Sequence, residues 1–324
     1  MYASVVIFSL GFLAGRPHEK PSQNSSTLPK YDHIVIVIEE NKDYSEVVGS
    51  NDAPYINDVL VKEGANLTQM FAEEHSSEGN YFWLFSGSNQ NVGYHDATPG
   101  HDNNSEYPFQ SANLGQELFS TGDTFKGYSE GLPEIGDTVS KVDLYARKHV
   151  PWISFGNLPE GSTENTSINL QFKQFPSDFS KLPTVSIVIP NLIDDMHSGD
   201  RASRVANGDK WLKDNMDGYY QWAKKHNSLL IITFDENDNK SHYSGLTDPA
   251  SNEESVKNMI PTIIAGAHIR HGNYPEGVGI THVNLLRTIE AMYGLRKAGG
   301  QQINALKYGI NDGYIITDIF THEK

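Results

Sequence analysis

Cysteine is missing from this 324-residue chain. Its absence excludes disulfides, thiolate nucleophiles, cysteine-ligated zinc and lipid attachment at an N-terminal cysteine. The fold must therefore be held by its core alone. Positive charge is scarce: 25 Lys and Arg face 41 Asp and Glu, for a formal net charge of -16. That balance argues against nucleic acid and anionic membrane surfaces as partners. It also works against anionic substrates, so a phosphate ester would need a local cation, most simply a metal ion. Long apolar runs are few. The run from Ala3 to Ala14 is too short to span a bilayer comfortably and suits the apolar core of a signal peptide. No basic residue precedes it, and Arg16 lies on the far side. Residues 15–30 are rich in Pro, Ser, Asn and Lys and read as a linker. The expectation is a signal peptide or N-terminal anchor with linker over 1–30, one catalytic domain over 31–324, and an exported protein (periplasmic, surface-bound or secreted). No other segment could cross a membrane, and there are no internal repeats.

What is present is an alternation of apolar strands and amphipathic helices. His33 to Ile38 is a continuous β-branched run, the mark of a strand buried on both faces. Val185–Ile189, stopped by Pro190, and Leu229–Phe234 read the same way, and Ile263–Ala265 is a fourth strand. Pro54 starts a helix that carries Ile56, Val59 and Leu60 and ends at Gly64. Asp209 to His226 is helical by pattern, with Leu212, Met216, Tyr219 and Ala223 on one side. Asn284 to Tyr293 is another helix, stopped by Gly294. Such alternation predicts an α/β fold, with a parallel-type sheet covered by helices on both faces. Residues 87–123 read as a long surface insertion.

Ligands bind at the carboxyl ends of strands in such sheets, and polar clusters stand there. Glu40-Asn41 follows the first strand, and Asp235-Glu236 follows the third. Hard oxygen ligands of this kind suit divalent cations. The plain alternative for either pair alone is a turn or a helix cap; two such pairs in one chain favour a site. Ser77 lies in a short polar loop leading into Asn80–Phe85, a segment that can open as a helix. A hydroxyl at a helix start faces free N–H groups that favour phosphate, and beside a metal it becomes a nucleophile. The alternative is that Ser76 or Ser77 only caps the helix. Asp194-Asp195-Met196-His197 follows a strand and a proline, and His282 opens the last core helix. Imidazoles there can ligate a second ion or protonate a leaving oxygen. His95, His101, His242, His268 and His271 read as ordinary surface histidines, and Asp43, Asp143 and Asp238 as solvated or structural.

Several segments, in order, resemble the phosphoesterase family of bacterial acid phosphatases and non-specific phospholipases C, within the alkaline phosphatase superfamily. They are HIVIVIEENKDY at 33–44, HSSEGNYFWLFSG at 75–87, FKGYSEGLP at 125–133, YARKHVPWISF at 145–155, IPNLIDDMHSGD at 189–200, IITFDENDN at 231–239, THVNLLRTIEAMYGL at 281–295 and ITDIF at 316–320. The resemblance implies an alkaline-phosphatase-like three-layer sandwich and a divalent metal held by Glu40, Asn41, Ser77, Asp235 and Glu236. Its identity is left open among Ca, Mg, Mn, Zn and Fe. Ser77 would be the nucleophile and pass through a phosphoseryl intermediate. Asn80 would hold a phosphoryl oxygen, while His75, Asp195, His197 and His282 would line the phosphate pocket. Ser76 and Gly79 depart from the family's prolines without removing a ligand. The implied activity is hydrolysis of a small phosphate monoester, of acid phosphatase type, with His282 or His197 protonating the leaving alkoxide at slightly acidic pH. The alternatives are a phospholipase C-type phosphodiesterase and a non-catalytic protein that binds metal or phosphate. The long members of the group are the ones associated with lipid cleavage, and an end at residue 324 tilts the expectation to monoesters. Oligomeric state is not set by the sequence. The sequons at Asn24, Asn66, Asn103, Asn165 and Asn239 are expected to be chance.

Overall fold

A computed structural model describes residues 28–75, 77–92, 96, 107–238, 258–277, 279–300, 306–307 and 309–321. The apolar run at 3–14, Ser76, His95, His101, His242 and the sequons at Asn24, Asn103 and Asn239 lie outside them. The strands in chain order are β1 (His33–Glu39), β2 (Ala65–Leu67), β3 (Met70–Phe71), β4 (Phe125–Ser129), β5 (Lys141–Val142), β6 (Tyr145–Ala146), β7 (Asn169–Gln171), β8 (Val185–Ile189), β9 (Ser228–Phe234), β10 (Thr262–Gly266), β11 (Gly272–Tyr274) and β12 (Ile280–Thr281). The helices that matter here are α1 (Tyr44–Val47), α2 (Val61–Glu63), α3 (Ser77–Ser86), α4 (Leu114–Thr121), α5 (Arg204–Ala223) and α6 (His282–Tyr293).

Eight strands form one sheet in the order β11-β2-β10-β9-β1-β8-β4-β7. β1 is parallel to both neighbours, with Ile36 level with Ile187 of β8 and Ile231 of β9. Both faces of these strands are buried, which is why they read as unbroken β-branched runs rather than alternating ones. β10 departs from the parallel expectation: it runs antiparallel to β9 and β2. Helices α3, α4 and α6 pack on one another, while α5 packs on β9 and β10. The result is a three-layer sandwich around a mostly parallel sheet.

Three elements differ from the sequence expectation. α5 begins at Arg204, five residues before Asp209. Asp209 does not start its own helix; its carboxylate accepts the N–H groups of Tyr55 and Ile56 at 3.0 and 2.7 Å and so caps the helical turn that follows Pro54. Ser77 is the first residue of α3 rather than part of a loop before it. Residues 87–123 contain a core element: α4 is capped by the Asn113 side chain on Gln116 N–H and buries Leu114 and Leu118, one turn apart.

Two glycines let a neighbouring side chain approach closely. A Cβ on Gly127 in β4 would lie 2.1 Å from the Trp152 ring, which is fully buried and donates its indole N–H to Asn169. A Cβ on Gly79 in α3 would lie 1.8 Å from Glu74 Oε1. The second departure from the family's proline pattern is thus filled by the Glu74 side chain.

Candidate active site

The carboxyl ends of three neighbouring strands bring the site together. β1 runs into Glu40-Asn41, β9 into Asp235-Glu236, and β8 through Pro190 into Asp195. The Asn41 N–H donates to Asp235 Oδ1 at 3.0 Å, and its amide Nδ2 donates to Glu236 Oε1 at 2.7 Å. Asn41 is left-handed, with φ +41°, a conformation that Asn tolerates better than most residues. Lys42 is buried and donates to the Asn41 carbonyl at 2.7 Å, which steadies that turn.

Ser77 comes from another layer. Its Oγ donates to Glu40 Oε2 at 3.2 Å and lies 3.5 Å from Glu236 Oε1. Tyr81, one turn along α3, donates to Glu40 Oε1 at 2.5 Å. His75 places Nδ1 2.7 Å from Glu236 Oε2, and its Nε2 is buried without a hydrogen-bond partner. The Asp195 Oδ1 accepts the His197 N–H at 2.8 Å. Between them stands Met196, fully buried at φ +73°, a strained conformation for a long side chain; Gly208 of α5 leaves it room. His197 Nδ1 lies 3.0 Å from Ser198 Oγ.

Burial dominates the electrostatics. It raises the Glu40 carboxyl well above its ordinary range, helped by Asp235 and Asp195. Asp235 is pushed up to about 7 by burial and then by Glu236. Glu236 is pushed up to about 8 by burial and then by Asp96. Asp195 is raised by burial against the His197 N–H it accepts. Four carboxylates held in one buried place repel one another, and a cation among them would relieve this.

Two expected pocket residues make hydrogen bonds within the fold. Asn80 Oδ1 accepts the N–H groups of Glu73 and Glu74 at 3.1 Å each, and its Nδ2 donates to the Glu74 carbonyl at 2.7 Å. Its amide thus braces the entry to α3. His282 is fully buried with both ring nitrogens engaged, Nδ1 2.6 Å from Glu73 Oε2 and Nε2 2.8 Å from the Phe234 carbonyl. It is a strut between α6 and the end of β9, and neither nitrogen is open to a leaving group or a second ion.

Sequence reasoning passed over His149 and Lys148, which follow β6 on a short 3₁₀ turn. The His149 ring stacks on Tyr81, with centroids 5.1 Å apart and planes 9° apart. Its Nε2 lies 3.1 Å from Glu40 Oε1, out of line for a hydrogen bond, and its Nδ1 3.8 Å from Asp195 Oδ2. Burial, then Lys148 and His197, lower its basicity well below the ordinary range. The Lys148 ammonium is 2.5 Å from Asp96 Oδ2, and Asp96 Oδ1 accepts the Glu78 N–H in the first turn of α3 at 3.1 Å. The signal available was segment 145–155, whose match to the family pattern carried no residue role.

No group of three or more His, Asp and Glu side chains among the described residues is arranged to hold a metal ion. The donor chemistry nevertheless fits one. Asn41 Oδ1, Asp235 Oδ2 and Asp195 Oδ2 are buried oxygens without hydrogen-bond partners, and their neighbours are carboxylates.

Comparisons with known proteins bear on the family and the fold. A sequence model described as the Phosphoesterase family matches residues 50–296. A phosphatidylinositol-3-phosphatase of Mycobacterium tuberculosis is 42% identical over 277 residues, covering 85% of this chain and 81% of that protein. A phosphate-repressible acid phosphatase of Penicillium chrysogenum is 26% identical over 282 residues, covering 83% of this chain and 60% of that protein. Among solved structures, an alkaline phosphatase superfamily protein of Vibrio parahaemolyticus aligns over 84% of this chain and 69% of its own, with TM-score 0.55 and 14% identity. The lipoteichoic acid synthase LtaP of Listeria monocytogenes aligns over 86% of this chain and 75% of its own, with TM-score 0.51 and 13% identity. The structural likenesses speak to the fold.

Proposed function

The chain belongs to the phosphoesterase family and is a phosphoric ester hydrolase, and on that premise we propose that it is a metal-dependent phosphomonoesterase with Ser77 as nucleophile. The observation that carries this is the placement of Ser77 Oγ at the start of a buried ten-residue helix, within 3.2 and 3.5 Å of carboxylates from two different strands. A hydroxyl so placed has acceptors for its proton and first-turn N–H groups for the phosphate it attacks.

The Asp96 carboxylate marks an anion position: it is bound by the Glu78 N–H and by Lys148, donors that suit a phosphoryl oxygen equally. In the proposed reaction, Ser77 Oγ forms a bond to phosphorus while its proton passes to the Glu40 carboxylate. The ester P–O bond breaks in line and the leaving alkoxide takes a proton. Water then attacks the phosphoseryl group and releases phosphate and the serine. Glu40, Asn41, Asp235, Glu236 and Ser77 would hold the divalent ion, which would supply charge neutralisation at the phosphoryl oxygens and acidify the serine hydroxyl.

Of the two imidazoles expected to protonate the leaving alkoxide, His282 is engaged on both nitrogens, and His197 takes that role in this proposal. Burial, then Lys148, Lys42 and Arg204, hold it down to about 4. It is thus neutral at pH 6 in the free protein. An incoming phosphate dianion opposes those cations and raises it. An acidic optimum therefore depends on bound substrate. The exported location read from residues 3–14 belongs to this proposal as well.

Both relatives bear phosphatase names, which favours a monoester over a phospholipase C-type diester and over a protein that only binds. The mycobacterial relative's name further suggests an inositol phosphate monoester as the substrate class. The test is hydrolysis of an aryl phosphate monoester against the matching diester at about pH 6, with divalent metals added. Faster monoester turnover supports the reading. Faster diester turnover overturns it in favour of phosphodiesterase chemistry, and no turnover of either leaves a binding protein.

A further inference from the structure

We propose that the polar cleft lined by Asn41 and Arg204 is a second anion subsite, and that the substrate carries a further phosphate or phosphodiester group besides the ester that is cleaved. This rests on the phosphomonoesterase reading above. The cleft holds about 280 Å³ and is lined by Asn41, His197, Gly199, Arg204, Asn237 and Asp238. Asn41 is also tied to Glu236 at 2.7 Å, so the cleft shares a residue with the Ser77 site. The volume lies just below the usual range for whole-ligand pockets, which suits one substituent of a larger substrate.

The cleft is cationic in a chain of formal net charge -16. Arg204, the first residue of α5, makes one hydrogen bond with its guanidinium among the described residues, from Nε to the Gly199 carbonyl at 3.3 Å. It has no carboxylate partner among them, so its forked N–H groups are available to a phosphate. The carboxylate that lines the cleft, Asp238, is faced by Arg201 at 3.4 Å. The Lys42 ammonium stands behind Asn41, on its carbonyl. Lys148, Lys42 and Arg204, from three separate segments, all act on His197, and Asp96, the acid acting against them, is itself paired with Lys148. A substituent that is merely polar gains little from such a field, whereas a second anion gains most. Phosphate linked to the same small ring and phosphate linking that ring to a lipid share this chemistry.

The experiment uses the purified full chain with three substrates: inositol 3-phosphate, inositol 1,3-bisphosphate, and phosphatidylinositol 3-phosphate in phosphatidylcholine vesicles. The wild-type protein is expected to favour the bisphosphate over the monophosphate by tenfold or more in kcat/KM, mainly through KM. Arg204→Gln is expected to remove most of that preference, and Arg204→Lys to restore part of it. The vesicle substrate should lose activity in parallel. The wild-type comparison stands even if a variant fails to fold. Equal wild-type kcat/KM for the two soluble substrates overturns the subsite, as does a preference that survives Arg204→Gln. An Arg204 effect confined to vesicles overturns it in favour of simple attraction to a membrane surface. Turnover of none of the three while an aryl phosphate monoester is still hydrolysed overturns the subsite alone, and failure on the aryl phosphate as well overturns the phosphomonoesterase reading.

Discussion

Ser77 differs from a helix-capping serine by what its proton faces. A cap accepts backbone N–H groups, whereas this hydroxyl donates to Glu40 and sits near Glu236. Ser77→Ala should therefore lower kcat for an aryl phosphate by about 10³-fold or more, with unchanged circular dichroism. Near wild-type turnover would move the attack to Ser76 or to water. At this scale, legibility followed sequence distance. Glu40, Asn41, Asp235 and Glu236 could be read because each abuts an apolar strand whose end is a known place for ligands. His149 could not. Its partners are Glu40 and Tyr81, far off in the chain, and only folding makes one imidazole of 13 special. Asn80 and His282 were visible as polar residues in a promising pattern, yet pattern says nothing about which hydrogen bonds are already taken.

The start of α6 shows how one contact joins elements. His282 links Glu73, just before α3, to the Phe234 carbonyl at the end of β9. It thus fixes the two segments that present Ser77 and Asp235. Removing it with His282→Gln leaves the buried Glu73 without its imidazole partner and with only the Val283 N–H on its other oxygen, an effect of about 3 kcal/mol where such pairs have been broken. The pH dependence has a definite sign. Burial lowers the basicity of His282, but the Glu73 carboxylate, the Phe234 carbonyl and Asp235 together outweigh this and the net shift is upward. The pair's contribution is then fully present below the ordinary histidine value near 6.5 and is lost as pH rises through the raised one. Thermal unfolding of wild type and His282→Gln should differ most at about pH 5.5 and converge at more alkaline pH. A gap that widens with pH would contradict this. Other elements carry the same lesson. The boundaries of β1, β8 and β9 were plain from their apolar runs, while the start of α5 was misplaced because Asp209, a good N-cap residue, caps a different helix. Helix α4 was overlooked among Gly, Asn and Ser, although Leu114 and Leu118 recur one turn apart.

For the molecule as a whole, acidity and burial meet at one point. Glu40, Asp195, Asp235 and Glu236 are all buried and all shifted towards their protonated forms. A divalent cation that binds the folded chain should displace those protons and stabilise the fold. At about 100-fold over its Kd the gain is about 2.7 kcal/mol, which corresponds to a rise of roughly 5 °C or more in Tm. Calorimetry with and without a chelator tests this, and a Tm indifferent to Ca, Mg, Mn, Zn and Fe would count against the metal. The sequence by itself determined the class of fold and the family, because buried parallel strands leave continuous apolar runs and motif order survives in one dimension. It also placed the carboxylates, because strand ends are local features. The tertiary structure alone decided which polar groups meet. It gave His282 and Asn80 their hydrogen-bond partners, brought His149 and Lys148 to the site, and set the charges of Arg204 and Lys42 against His197. Hydrogen-bond partners and local fields depend on distances between remote segments, and those distances exist only once the chain has folded.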